Sequence, residues 1–411
     1  MANIAIKLND DDDNIMIGKV DLNMEKSKMY DCLVVGCGMA GTVIARELAE
    51  RAGKKVLILE KRDHIGGNAY DCMNENGVFV HQFGPHIFHS DSKRVFDYLS
   101  RFTQWRNYSH EVVGDIHGQL MPIPFNLNSL HLAFEPSKSA RIEQKLIAIY
   151  GFGSKVPILE LRQQPDVELA EIADFIYNNI FLYYTQKQWG LAPDEIDSLV
   201  TARVPVFISY DNRYFQDTYQ GIPEKSYTSL FERMLNHPNI ELRLNSDAHR
   251  LLRLESGEIF FDGCAFNGTV IYSGPTDELF DCQYGRLPYR TLDFVFETHN
   301  TTWFQPKGTV NYPVDREYTR ITEFKHLTGQ ALDERTTIVK EYPRAYTGAD
   351  SETPYYPIQN PESLTLYERY RKLTDEFPQF HLLGRLAEYK YYNMDAIVKK
   401  ALELADTLIK S

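Results

Sequence analysis

Apolar positions along the chain follow different periods, and the change from one to the next marks out its parts. Residues 31–35, apolar after Asp31, and 56–59 are short apolar runs, the pattern of strands buried on both faces, with a helical stretch between them. Segment 128–200 is rich in helix formers, and Leu169, Ile172, Ala173, Ile176 and Ile180 recur at helical spacing to give one apolar face. Short strands return over 239–273, ending in Thr269-Val270-Ile271-Tyr272-Ser273-Gly274-Pro275, a buried strand running into a glycine turn. Leu292, Phe294 and Phe296 then alternate, as do residues 336–340, which predicts antiparallel sheet over 276–360. Residues 111–121 read as a hairpin turning at His117-Gly118. A last helix carries Met394, Ile397, Val398, Ala401, Leu402, Ala405 and Leu408 on one face and closes the first domain.

The predicted fold class is α/β: a discontinuous Rossmann-like domain with an inserted helical domain and an antiparallel β-sheet domain. The expected boundaries are 29–105, 217–275 and 370–411 for the nucleotide-binding domain. The helical domain takes 128–204, and the sheet domain takes 106–127, 205–216 and 276–369. Residues 1–28, with four consecutive aspartates at 10–13, are expected to form a solvated, flexible extension outside the fold.

Candidate chemistry begins in the loop Gly36-Cys37-Gly38-Met39-Ala40-Gly41, between the first strand and its helix. In such a loop the first glycine makes the tight turn, the second lets backbone approach a pyrophosphate, and the third lets helix pack on strand. Glu60 ends the second strand 19 residues after Gly41, where a carboxylate can accept from a ribose hydroxyl. A further glycine pair follows in Lys61-Arg62-Asp63-His64-Ile65-Gly66-Gly67-Asn68. It resembles the extended fingerprint of flavoproteins related to amine oxidases and moves the expected cofactor from NAD to FAD. Gly36, Gly38, Met39, Ala40, Gly41, Glu60, Lys61, Gly67 and Asn68 are the cofactor-binding candidates.

Composition narrows the partners. A formal charge of -13 argues against nonspecific nucleic-acid binding, so an anionic ligand needs local arginines. The 26 tyrosines exceed what a core needs and suit sites that stack rings and donate to phosphates. No apolar run approaches the ~20 residues of a membrane span, and the N-terminus has no signal-peptide pattern. The five cysteines have no CxxC or metal spacing, so they are expected to be reduced thiols in a cytoplasmic protein without a metal.

Several motifs are not demanded by the fold. They are Tyr183-Tyr184-Thr185-Gln186-Lys187-Gln188-Trp189-Gly190, Ala202-Arg203-Val204-Pro205, Tyr210-Asp211-Asn212-Arg213-Tyr214-Phe215, Tyr318-Thr319-Arg320, Pro354-Tyr355-Tyr356-Pro357, and Gly384-Arg385 through Tyr391-Tyr392. With residues 81–89 and Ile123-Pro124-Phe125-Asn126, they run in the order seen in the bacterial UDP-galactopyranose mutases, which the chain resembles from about 29 to 409.

The resemblance implies an isomerase that interconverts UDP-galactopyranose and UDP-galactofuranose. Reduced FAD acts without net redox change, its N5 serving as nucleophile at the anomeric carbon. It further implies that Arg203 and Arg320 bind the pyrophosphate, with Tyr214, Tyr356 and Tyr391 donating to it. Tyr184 stacks on uracil and Trp189 walls the sugar pocket. His86 and His89 stand beside the isoalloxazine, Arg385 belongs to the FAD site, and Asn126 and His110 lie on the substrate side. Residues 191–205 match a mobile lid. A reductant such as NAD(P)H and a homo-oligomeric state are implied as well. Departures from the family pattern include Phe207 where a second arginine often stands, Asn393 for an aspartate, Pro85 for alanine and His110 for asparagine. The rival readings are a flavin oxidoreductase of the amine-oxidase type and a mutase acting mainly on UDP-N-acetylgalactosamine.

Overall fold

A computed structural model describes residues 29–190 and 204–410. The extension expected over 1–28 and residues 191–203 of the lid expected over 191–205, Arg203 among them, lie outside the described residues.

Five parallel strands form the nucleotide-type sheet, in the order Ile240–Arg243, Val56–Leu59, Cys32–Val35, Thr269–Tyr272, Phe380–Leu382. Val34 and Ile58 turn toward the helices Met39–Ala52 and Met394–Lys410, packing with Val43, Ile44, Val398 and Ala401. Leu33, Leu57 and Val270 turn the other way, onto Ile259, Phe261 and Phe266 of a small antiparallel meander. Both faces are covered at the centre of the sheet, which is why Cys32–Val35 and Val56–Leu59 read as unbroken apolar runs. Each buried aliphatic side chain contributes on the order of 1.5–3 kcal/mol relative to exposure.

The helical part packs Leu127–Ala133, Pro136–Tyr150 and Val167–Ile176 around Leu130, Ile142, Leu146, Leu169, Ile172 and Ile176. Beyond Ile176 the chain winds one π-helical stretch, Tyr177–Leu182, then returns to α-helix at Tyr183–Trp189 and ends at Gly190 with φ 74°. Such widened turns are concentrated at functional sites, where they re-aim the side chains that follow. Here the re-aimed residues are Tyr184 and Trp189.

The second large sheet has seven strands in the order Tyr356–Pro357, Tyr289–His299, Thr336–Ala345, Arg320–Glu323, Thr309–Asn311, Val112–Ile116, Gln119–Ile123. The predicted hairpin is present, with His117 at φ 53° and Gly118 at φ 86°, the two left-handed positions of a type I′ turn. One pairing departs from the expected antiparallel pattern: Thr309–Asn311 runs parallel to Val112–Ile116. These strands are separated by the whole helical block, so no hairpin dictates their relative direction. A second departure is Phe296, expected to share the inward face with Leu292 but 36% exposed and stacked on Phe324 at 6.1 Å. Burial of Tyr289–His299 is complete only over its first four residues, so alternation beyond them no longer reports a covered face.

Candidate active site

Three glycines in the first loop are glycine for separable reasons. A Cβ on Gly36 would lie 2.2 Å from Ser273 Oγ, and one on Gly41 would lie 1.9 Å from the Gly36 carbonyl oxygen. Internal packing alone excludes side chains there. Gly38 is different: its φ of -84° suits any residue, and a Cβ would meet nothing nearer than Gly67 Cα at 3.8 Å. Gly38 is also the N-cap of Met39–Ala52, with no side chain accepting from the exposed N–H groups and no acid in the first turn. An uncapped helix start at a position where the protein itself tolerates a side chain is the arrangement that receives a phosphate.

The cradle closes around this point. Glu60 is buried and accepts from the backbone N–H of Cys37 at 2.8 Å and of Arg62 at 3.0 Å. Gly66 donates its N–H to the Cys37 carbonyl at 3.0 Å, locking the second glycine pair onto the first loop. Asn68 accepts from Arg62 at 2.9 Å, and Lys61 is exposed. From the far end of the chain, Gly384 brings its Cα side within reach of Ala40, where an added Cβ would lie 3.6 Å away. The residues present therefore fit a dinucleotide with its pyrophosphate at Gly38. Arg385, next in sequence, donates to the carbonyls of Tyr355 and Tyr392 and lies 4.6 Å from the Tyr391 ring, so it joins this cradle to a second cluster.

That cluster centres on Arg320. Its Nε donates to Glu341 Oε2 at 2.9 Å, and the arginine side chain is 23% exposed against 1% for Glu341. Burial works against the guanidinium charge, but Glu341 and the phenols of Tyr184, Tyr356 and Tyr214 overcome it and hold Arg320 well above its ordinary value. Burial pushes the Tyr184 and Tyr356 hydroxyls up, so both stay protonated as hydrogen-bond donors. Tyr356 stacks on Tyr391 at 6.0 Å, and Trp189 closes the side at 5.5 Å from Tyr356. These aromatic residues stay only partly buried although protein surrounds them, as side chains lining a cleft do.

Histidines lie near these arginines. Burial pushes His110 down to about 3, with Arg320 adding to the effect, and its Nδ1 lies 3.1 Å from the Tyr108 hydroxyl. His110, Phe215 and Tyr214 are in ring contact, and His89 stacks on Phe215 at 3.6 Å with its Nδ1 3.2 Å from Asp217. Burial also holds His86 down at about 4; its Nδ1 donates to the Gly84 carbonyl at 2.9 Å, and its backbone N–H donates to His81 Nδ1 at 3.0 Å.

One expected substrate residue is spent on the fold. Asn126 is 2% exposed; its Oδ1 accepts from Ser129 N at the start of Leu127–Ala133, and its Nδ2 donates to Asp211 O and Asn212 Oδ1. Its amide serves a helix cap and the turn that leads to Tyr214.

Three residues that sequence reasoning passed over belong to the cleft. Glu341 pairs in register with Arg320, which pairs with Asn311, so the three side chains share one face of the sheet. Glu341 Oε1 and Asn311 Oδ1, with the hydroxyls of the facing pair Thr309 and Thr322, are buried and make no hydrogen bond among the described residues. A carboxylate in phase with buried Thr337 and Val339 was the readable signal. Arg290 donates to the carbonyls of Lys187 and Gln188 at 2.8 and 3.0 Å, and its partners are the C-terminal carbonyls of the helix carrying Trp189 rather than a carboxylate. Its signal was a lone arginine inside an apolar strand.

Comparison with known proteins places this geometry. Residues 179–391 match the UDP-galactopyranose mutase family, and residues 34–102 match the NAD(P)-binding Rossmann-like domain family. The chain is 36% identical to a protein of Klebsiella pneumoniae described as a probable UDP-galactopyranose mutase, over 92% of this chain and 94% of that one. The chain belongs to the UDP-galactopyranose mutase family. Mutase relatives include UDP-galactopyranose mutase of Mycoplasma pneumoniae, 33% identical over 93% of this chain and 96% of that one. They also include dTDP-fucopyranose mutase of Escherichia coli, 34% identical over 93% and 99%. The fold of this mutase superposes on a crystal structure of reduced UDP-galactopyranose mutase with TM-score 0.70 at 15% identity, covering 93% of this chain and 94% of that one. Putrescine oxidase shares the fold at TM-score 0.58 and 13% identity, covering 93% and 99%. The chain is thus an isomerase built on a flavoprotein-type fold, and no helix among the described residues is long and apolar enough to cross a membrane.

Proposed function

We propose that the chain interconverts UDP-galactopyranose and UDP-galactofuranose at the cleft around Arg320, with FAD held in the reduced state and no net redox change. The observation that carries this reading is a permanently charged arginine whose Nε alone is bound among the described residues, by Glu341, leaving the terminal guanidinium nitrogens for a ligand. Such a fork suits a diphosphate. In a chain of net charge -13, the gathering of Arg320, Arg385 and Arg290 about one cleft is a local device for an anion.

FAD would be held by Gly36, Gly38, Met39, Ala40, Gly41, Glu60, Lys61, Gly67 and Asn68, with Arg385 where this cradle meets the cleft. When bound and reduced it supplies, at N5, the nucleophile for the anomeric carbon. The side chains handle the leaving group. Arg320 stabilises charge as it develops on the diphosphate, and Arg203 is assigned the same task from its motif. Tyr214, Tyr356 and Tyr391 donate to the phosphate oxygens. Tyr184 stacks on the base with His110 nearby, and Trp189 walls the sugar and excludes water. His86 and His89 stand on the cofactor side; buried and neutral, His86 can position a group without carrying charge. The reading includes a cytoplasmic, homo-oligomeric enzyme kept reduced by an electron donor such as NAD(P)H.

The Escherichia coli relative makes the nucleotide and the sugar the part to test. Under anaerobic conditions, the dithionite-reduced protein is incubated separately with UDP-galactofuranose and dTDP-fucofuranose, and the nucleotide sugars are chromatographed. The reading expects conversion of the first to its pyranose. Conversion of the second alone would move the substrate assignment and leave the chemistry in place.

A further inference from the structure

Lys187 is not used by the chemistry above. It lies in the helix Tyr183–Trp189, three residues after Tyr184 and so on the same side, and its ammonium is half-buried. Nζ donates to the carbonyl of Tyr312 and, at 2.9 Å, to that of Arg316. Those carbonyls belong to the loop 312–319 between strands Thr309–Asn311 and Arg320–Glu323. The loop is closed by its own backbone, Tyr312 N–H to Thr319 O at 2.8 Å, and Thr319 N–H is tied to Glu341 O at 2.9 Å. Its next residue is Arg320. The helix is clamped again from behind by Arg290 on the Lys187 and Gln188 carbonyls.

A lysine is a costly way to make such a link. Burial pushes its ammonium down to about 8, with Asp315 opposing, and no carboxylate lies within ion-pair distance of it among the described residues. Four carbons of stem and up to three donors let one side chain reach two carbonyls of a separate loop, which a shorter amide cannot do.

We propose that Lys187 is a positioning residue for the nucleotide, pinning the helix that carries Tyr184 to the loop that carries Arg320 and so fixing the distance between base platform and diphosphate cation. This rests on the nucleotide reading of the cleft. Without the tether, the two halves of the nucleotide are held by elements free to shift against each other, so ground-state and transition-state binding weaken together. That pattern raises KM and leaves kcat largely in place.

The test compares wild type, Lys187→Met and Lys187→Arg as flavin-loaded proteins. UDP and dTDP binding are measured by calorimetry, and KM and kcat are measured on the nucleotide sugar that the wild type converts. Expected are nucleotide affinity and KM each weakened about tenfold in Lys187→Met with kcat down less than threefold, and most of the affinity restored in Lys187→Arg, which keeps donors on a long stem. Affinity and KM within twofold of wild type in Lys187→Met would overturn the proposal, as would a loss confined to kcat. Should the methionine variant not fold, Lys187→Gln carries the same expectation and the same refutation. A wild type that binds neither nucleotide would instead remove the reading on which the inference rests.

Discussion

The glycine cradle and the Arg320 cleft meet at Arg385 yet are built on opposite plans. In the cradle the loop is matched internally and only the N–H groups at the start of Met39–Ala52 are left without a cap: Glu60 takes two backbone N–H groups, Gly66 donates to Cys37, and Gly36 and Gly41 are fixed by contacts of about 2 Å that a Cβ would create. In the cleft the terminal nitrogens of Arg320, Glu341 Oε1 and Asn311 Oδ1 face inward without protein partners among the described residues. Buried polar atoms left in that state cost about 1–3 kcal/mol each unless a ligand or water meets them. A region that recognises a ligand through backbone shape can satisfy its side chains when empty and leave only a helix end open. One that must respond to charge developing on a leaving group keeps its donors in reserve.

The sharpest way to break the comparison is inside the cradle. Gly41→Ala forces backbone apart at 1.9 Å and is expected to lose bound flavin and most soluble protein, read by absorbance and thermal melting. In the cleft, Arg320→Ala should lower kcat by about 100–1000-fold, the cost of removing one oxyanion-type donor, with flavin content near wild type and a lowered melting temperature because buried Glu341 loses its partner. Gly38→Ala separates shape from ligand contact. With 3.8 Å of clearance inside the protein it should fold as wild type but hold flavin about tenfold more weakly, checked by ultrafiltration of the released cofactor. Were Gly38→Ala to melt early with flavin affinity unchanged, the distinction between the glycines would fail.

A smaller effect concerns pH. His81 and His86 are held at about 4 and His110 at about 3 by burial, so all three are neutral in the folded chain at pH 6.5. The unfolded chain binds more protons between those values and ~6.5, so stability is full above pH 6.5 and falls as the pH drops toward 4. The loss is on the order of 3 kcal/mol per histidine by pH 4. Urea midpoints across pH 4–7 should follow this slope, and His81→Gln should flatten it by one proton.

The same difference decides what was legible in the chain. The cradle occupies some forty contiguous residues, so strand, glycine spacing and terminal acid could be read directly. The seven-stranded sheet was visible as alternation, but the parallel join between Thr309–Asn311 and Val112–Ile116 was not, because strands separated by an inserted block leave no local mark of their direction. Arg320, Tyr184, Trp189, Tyr214, Tyr356 and Tyr391 come from five stretches far apart and were assigned only through their motifs. Glu341 and Arg290 escaped because a single charge within a strand belongs to no motif, although each sits in phase with buried neighbours. Asn126 shows the converse, since membership of a motif does not say whether a side chain serves the ligand or the turn that presents it.

The most direct test runs wild type and Arg320→Ala side by side, each purified with its flavin, reduced with dithionite under argon and given UDP-galactofuranose, with an oxidised wild-type control. The account predicts many turnovers to UDP-galactopyranose per flavin in the reduced wild type, with no further reductant consumed. It predicts almost none in the oxidised control or in the reduced variant, whose flavin content is unchanged. Wild-type activity in the oxidised state, one reductant spent per turnover, or an Arg320→Ala variant as active as wild type would contradict it.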